Sequence, residues 1–196
     1  MDAASLLLVG LGNPGPQYAS TRHNVGFWVI DEISRAAGIK VGQRGFSALW
    51  GQGRIDGVPV VLCKPQTYMN LSGRAVAPLA ARLGLPPEAV WLVHDDLDLP
   101  PGRLRLRLGG GDGGHRGVRS VIAALGSRQV GRIRVGIGRP PEGVDAADYV
   151  LQTPRGAERD ILNAAVRRAA EAALTLVRLG PEAAMNRFNT AVSDPI

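Results

Sequence analysis

LLLVGLGNPGPQYASTRHNVGFWVIDEISRAA, residues 6 to 37, runs from a short apolar stretch through a polar island rich in glycine and proline into a segment where Val25, Val29, Ile33 and Ala36 recur at helical spacing. Buried strand, loop, helix is the reading, and it repeats. Three more polar islands, PQTYMNLSG (65 to 73), HDDLDLPPG (94 to 102) and GGGDGGHRG (109 to 117), each follow a strand-like run, VPVVL, AVWLV or RLRLRL. Three of the four islands lead into a helical pattern, which is how α/β proteins gather reactive side chains at strand ends. The expected fold class is therefore α/β, in one domain over residues 1 to 196.

Working outward, residues 46 to 63 predict two strands joined at Asp56-Gly57, a strong hairpin signal. Helices are expected near 25 to 37, with Ser20 and Thr21 as caps, near 71 to 84 with Pro78 inside, near 115 to 125, and from 157 to 179. In the last of these, Leu162, Val166, Ala169, Ala173 and Val177 form an apolar stripe that Gly180-Pro181 stops. Strands are expected at 90 to 93, 103 to 108 and 132 to 138, with a short one at 149 to 151 and a frayed tail from about 190 to 196.

Composition narrows the class of function. No stretch of about 18 apolar residues exists to span a bilayer, no basic-then-apolar leader opens the chain, and Cys63 is a lone cysteine, so a cytoplasmic protein without membrane association is expected. The net charge of +6 comes from arginine, since Lys40 and Lys64 are the only lysines among 23 basic residues. Guanidinium forks suit phosphate, although a biased composition gives the same excess, and charge alone leaves both readings open.

Several chemistries compete for the islands. GLGNPG matches a dinucleotide fingerprint, but Pro14 and Pro16 lack backbone donors and Asp31 and Glu32 fall inside a helix rather than at a strand end. His94, Asp95, Asp96 and Asp98 suggest a metal, yet the spacing fits neither HExxH nor an EF-hand, and no metal is expected. There is no GxSxG elbow, and Cys63 lies in an apolar run, so water is the expected nucleophile.

His23, at a helix start, is expected to stay neutral near pH 7 and so to serve as a general base, with Asp95 fixing its tautomer. A helix-capping histidine fits the same position. Asn13 and Asn70 each follow a strand, where an amide can recognise a peptide main chain, or simply form a turn and a cap. Arg103, Arg105 and Arg107 alternate with leucines, and Arg132 and Arg134 repeat the pattern, as a phosphate ladder or as a solvated edge would.

Taken in order, GLGNPG with YASTRHN, TYMNLSG, HDDLDLPPG, GGGDGGHRG and RVGIGRP closely resemble the bacterial-type peptidyl-tRNA hydrolases, from about Leu6 to the closing MNRFN. The resemblance implies a mixed, twisted central sheet surrounded by helices. It implies cleavage of the ester between a peptide and the 3′ ribose of tRNA, without metal or organic cofactor. The implied partner is peptidyl-tRNA, met through acceptor stem, 3′ end and attached peptide, by a monomer with no obligate protein partner.

By the same resemblance His23 is the base, Asp95 orients it, Asn13 recognises the amide of the blocked amino group, and Asn70 positions the peptide carbonyl or the water. Tyr18 and Tyr68 fall on positions that line the 3′ end or peptide site, and Arg107 and Arg134 on contacts to tRNA phosphate. After GGH the family usually places asparagine, whereas this chain has Arg116, which donates but cannot accept. A non-catalytic RNA-binding protein on the same fold is the alternative from another class. A tight hairpin at 95 to 102 would send Gly109 to the far end of the sheet, so His115 and Arg116 join the substrate site only if the glycine loop folds back.

Overall fold

The computed structural model describes residues 4 to 190, so that most of the tail expected to fray lies outside the described residues. Its strands are β1 (Leu6–Gly10), β2 (Gln43–Gly45), β3 (Ala48–Ile55), β4 (Val58–Pro65), β5 (Val90–Asp96), β6 (Leu104–Arg107) and β7 (Gly131–Gly136). Its helices are α1 (Val25–Ala37), α2 (Gly73–Leu83), α3 (Arg116–Leu125), α4 (Ala146–Val150), α5 (Gly156–Leu179) and α6 (Pro181–Phe188). The strands form a single mixed sheet in the order β2-β3-β4-β1-β5-β7-β6.

Strands β4, β1, β5 and β7 are parallel, and β3 and β6 run against their neighbours β4 and β7. Three polar islands therefore leave from one rim, after β1, β4 and β5. Alternation along β1 sends Leu8 to one face, with Val29, Ile30, Ala169 and Leu176 of α1 and α5. Leu7 and Val9 go to the other, with Leu79 and Val121 of α2 and α3. Leu7, Leu8, Leu62 and Leu92 are wholly buried, and each such side chain stabilises the fold by roughly 1.5 to 3 kcal/mol.

A pair of glycines decides how closely α1 approaches. A Cβ on Gly10 would lie 2.2 Å from the Gly26 carbonyl oxygen, and one on Gly26 would lie 2.4 Å from that of Val93. The first turn of α1 thus presses onto β1 and β5, three residues past His23. Gly26→Ala is expected to cost about 1 to 3 kcal/mol through overpacking, and to lower turnover by moving His23. Thermal melts beside turnover measurements check this, and an unchanged pair of values would show that the approach has slack.

The glycine island takes the route that the hairpin demanded. Arg107 faces Arg132 at the start of β7, so the chain leaves β6 at the rim away from the other islands. It then folds back. Arg132 donates from Nη1 to the Gly111 carbonyl and from Nη2 to that of Gly110, each at 2.7 Å, and Gly110, Gly113 and Gly114 adopt positive φ. His115 is thereby delivered to the rim where Asp95 ends β5.

Some expectations change. The Asp56-Gly57 hairpin is present, with φ of 48° and 82° at the two residues. Residues 149 to 151, expected as a strand, instead end or follow helix α4, which Asp145 caps by accepting from the Ala147 N–H at 2.8 Å. Gly180-Pro181 ends α5, but Pro181 also starts α6. Neither Ser20 nor Thr21 caps α1: Asn24 holds that position, and the Thr21 hydroxyl donates to the Tyr18 carbonyl. Asn189, just after α6, accepts from the Leu106 N–H at 2.6 Å and donates to its carbonyl at 3.0 Å, closing the free side of β6.

Candidate active site

Asn13, His23, Asn70, Asp95, His115 and Arg116 line one cleft of about 610 Å³. His23 lies in a 3-10 turn, Arg22–Asn24, that leads into α1, and its Nδ1 meets the Asp95 carboxylate at 2.9 and 3.0 Å. Its Nε2 is left for the cleft. Burial opposes protonation of His23, but the charge and hydrogen bond of Asp95 outweigh it, so the pKa is raised, with Arg116 pulling the other way. The helix start was expected to favour the neutral ring, and the buried carboxylate acts in the opposite sense.

Asp95 is 2% exposed and serves two imidazoles, because His115 Nε2 also meets its Oδ1 at 2.9 Å. Burial works against ionisation of this carboxyl, yet the two rings hold its pKa far below the usual carboxylate range. The other nitrogen of His115, Nδ1, accepts from the Gly117 and Val118 N–H groups at 3.1 and 3.3 Å, capping α3. A neutral ring that accepts at Nδ1 must carry its proton on Nε2, so His115 donates to Asp95.

This tautomer bears on metal binding. His23, Asp95 and His115 have ligand atoms within 4.8 Å of one another, a set that can surround an ion. Ligation through Nε2 of His115 would move its proton to Nδ1, against two backbone donors, so the α3 cap works against that use. His94, with its ring 4.7 Å from that of His115, donates from Nδ1 to the Asp95 carbonyl, and burial first and His115 second push its pKa down to about 3. Cys63 is buried on β4, where desolvation pushes its thiol up to about 12, out of range for a nucleophile.

Asn13 is held on both sides. Its Oδ1 accepts from the Met69 N–H at 2.7 Å, and Asn24 accepts from its N–H and donates to its carbonyl, each at 2.9 Å. With Oδ1 held by the Met69 N–H, the Nδ2 donors are left for a ligand. Asn24 was not singled out from the sequence, although it is the last residue of the TRHN run. Asn70 is exposed in the 3-10 turn Met69–Leu71, its amide free among the described residues, and Tyr68 beside it is 59% exposed.

The arginines separate into three kinds. Arg105 and Arg107 are exposed on the edge strand β6, as a ladder requires. Arg132 is buried, 3% exposed, and holds the glycine loop instead. Arg134 pairs through Nε with Asp96 at 2.6 Å. Tyr18, Arg107 and Arg134 lie outside the lining of the cleft, whereas Arg116, at the first turn of α3, lines it and has no side-chain partner among the described residues.

The model of the family described as peptidyl-tRNA hydrolase matches residues 7 to 195. The chain is 52% identical to a peptidyl-tRNA hydrolase of Moorella thermoacetica, over 95% of this chain and 99% of that one. It is 48% identical to that of Mycolicibacterium smegmatis, over 94% and 97%. Among solved structures, peptidyl-tRNA hydrolase from Acinetobacter baumannii superposes with a TM-score of 0.90 at 37% identity, covering 97% of this chain and 98% of that one.

Proposed function

The chain belongs to the peptidyl-tRNA hydrolase family and is an ester hydrolase acting on peptidyl-tRNA, and we propose that it does so with a water molecule activated by His23 and Asp95. The observation that carries this reading is the 2.9 Å contact between His23 Nδ1 and the buried Asp95 carboxylate, which leaves the Nε2 of a cleft-lining imidazole free to take a proton. Water held there loses its proton as it attacks the ester carbonyl. The Asn70 amide donates to the oxygen on which charge develops, and as the C–O bond breaks the 3′ oxygen of the ribose leaves with the proton that His23 had taken from water.

Asn13, its Oδ1 oriented by the Met69 N–H, recognises the amide of the blocked amino group by donating from Nδ2 to the carbonyl there. Tyr68 packs on the 3′ end or the peptide, and Tyr18, outside the cleft lining, meets the 3′ end. His115 acts on Asp95 rather than on substrate. Arg107, and the N–H groups of Arg134 that Asp96 leaves free, meet phosphates of the acceptor stem. The protein works as a cytoplasmic monomer. Among the described residues no helix is long and apolar enough to cross a membrane.

Single-turnover hydrolysis of N-acetyl-aminoacyl-tRNA, compared with unblocked aminoacyl-tRNA, tests the reading: rapid release from the first alone is expected. The pH dependence carries a sign. A base must be unprotonated, so kcat/KM falls as pH drops through the raised pKa of His23. Arg116 opposes that protonation, so Arg116→Asn should move the acidic limb to higher pH. A limb that stays in place would show that Arg116 does not act on the base.

A further inference from the structure

One buried charge takes no part in this chemistry. Arg22, next to His23, is 6% exposed, and its Nε and Nη2 meet the two carboxylate oxygens of Glu158 at 2.6 and 2.9 Å. Its Nη1 donates to the Tyr149 carbonyl at 3.0 Å, its backbone N–H to that of Gln152 at 3.1 Å, and its guanidinium stacks 4.0 Å from the Tyr149 ring. Every one of these partners lies 127 or more residues away, in α4, the turn after it, or the first turn of α5.

Helix α4 has five residues, too few to hold its own shape, and it forms one wall of the cleft with Ala146, Ala147, Val150 and Leu151. Those four side chains are apolar and Asp145 beside them is acidic, a wall suited to the side chains of an acyl peptide rather than to phosphate. Besides Arg22, the Tyr149 hydroxyl donates to the Ile137 carbonyl at 2.9 Å, and Tyr149 and Val150 pack with Ile137 and Leu162, contacts that hold α4 to the sheet and α5 but not to the turn carrying His23.

We propose that Arg22 is a positioning residue, which through Glu158 and residues 149 to 152 fixes the α4 wall against the turn carrying His23 and so sets how tightly the peptide part of the substrate is held. The proposal rests on reading this cleft as the peptidyl-tRNA site. A planar fork is needed, because three partners are met at fixed angles from a desolvated position. Lysine keeps the charge and loses the geometry.

Steady-state kinetics of Arg22→Lys, Glu158→Gln and the double variant, on N-acetyl-aminoacyl-tRNA and on an N-acetylated tripeptidyl-tRNA, test it. Each single change should raise KM roughly tenfold, more for the tripeptidyl substrate, with kcat within about twofold. The double variant should be no worse than Arg22→Lys alone, because the two residues share one contact. A role in folding alone would lower the melting temperature and the active fraction while leaving KM unchanged. If Arg22→Lys does not fold, Glu158→Gln decides, since Glu158 is only partly buried. Wild-type KM in folded Glu158→Gln overturns the proposal. His23→Ala assayed alongside keeps the failures apart: turnover retained there removes the proposed base, whereas its loss with KM unchanged in Glu158→Gln removes only the clamp.

Discussion

His23→Ala is expected to reduce turnover by about 10² to 10⁴ while leaving tRNA affinity close to that of the wild type. The side chain sits in the cleft with its Nδ1 on Asp95, so its loss removes the acceptor for the proton of water without touching the arginines of β6. Asp95 would then keep a single imidazole partner, His115, and its buried charge remains hydrogen-bonded, so the fold should survive. Rapid-quench hydrolysis and filter binding, run on the same preparation, separate the two quantities. Equal turnover by the variant would place the base elsewhere.

Asp95→Asn should be nearly as damaging, for a reason set by His115. That ring accepts at Nδ1 from two backbone N–H groups and must donate at Nε2, so the one oxygen of an asparagine would be drawn to His115. The new NH₂ group would then face His23 and donate to Nδ1, moving the remaining proton of the ring to Nε2. An imidazole in that state cannot accept from water, and turnover should fall by about 10² to 10⁴. The acidic limb of the surviving activity should move to lower pH, because the carboxylate that raises the His23 pKa is gone. Activity within a few-fold of the wild type would mean that the carboxylate does not govern the tautomer. Nitrogen-15 spectra of the two rings provide the direct check.

What could be read from the residues was mostly local. Strand β1, helix α1 and the Asp56-Gly57 turn follow from short-range rules about burial, period and positive φ, and the structure has all three. Residues 149 to 151 misled because Tyr149, Val150 and Leu151 favour strands when taken alone, while Asp145 four residues earlier capped a helix. The basic alternation on β7 fits a phosphate ladder or a solvated edge equally well, but β7 is not an edge, with β6 beyond it, and its face is covered by the folded-back glycine loop, where Arg132 meets loop carbonyls while Arg134 meets Asp96. The pairing of Arg22 with Glu158 spans 136 residues, and no spacing rule reaches that far.

Asn189 gives the end of the chain a duty unrelated to catalysis. By occupying the main-chain donor and acceptor of Leu106, it stops another ribbon from docking where the sheet would otherwise be open. A product clipped ahead of α6 would bare that seam along with the apolar floor that Phe188 and Ala184 cover. Such a fragment would stick to its own kind, so proteolytic damage at this terminus would be seen first as turbidity.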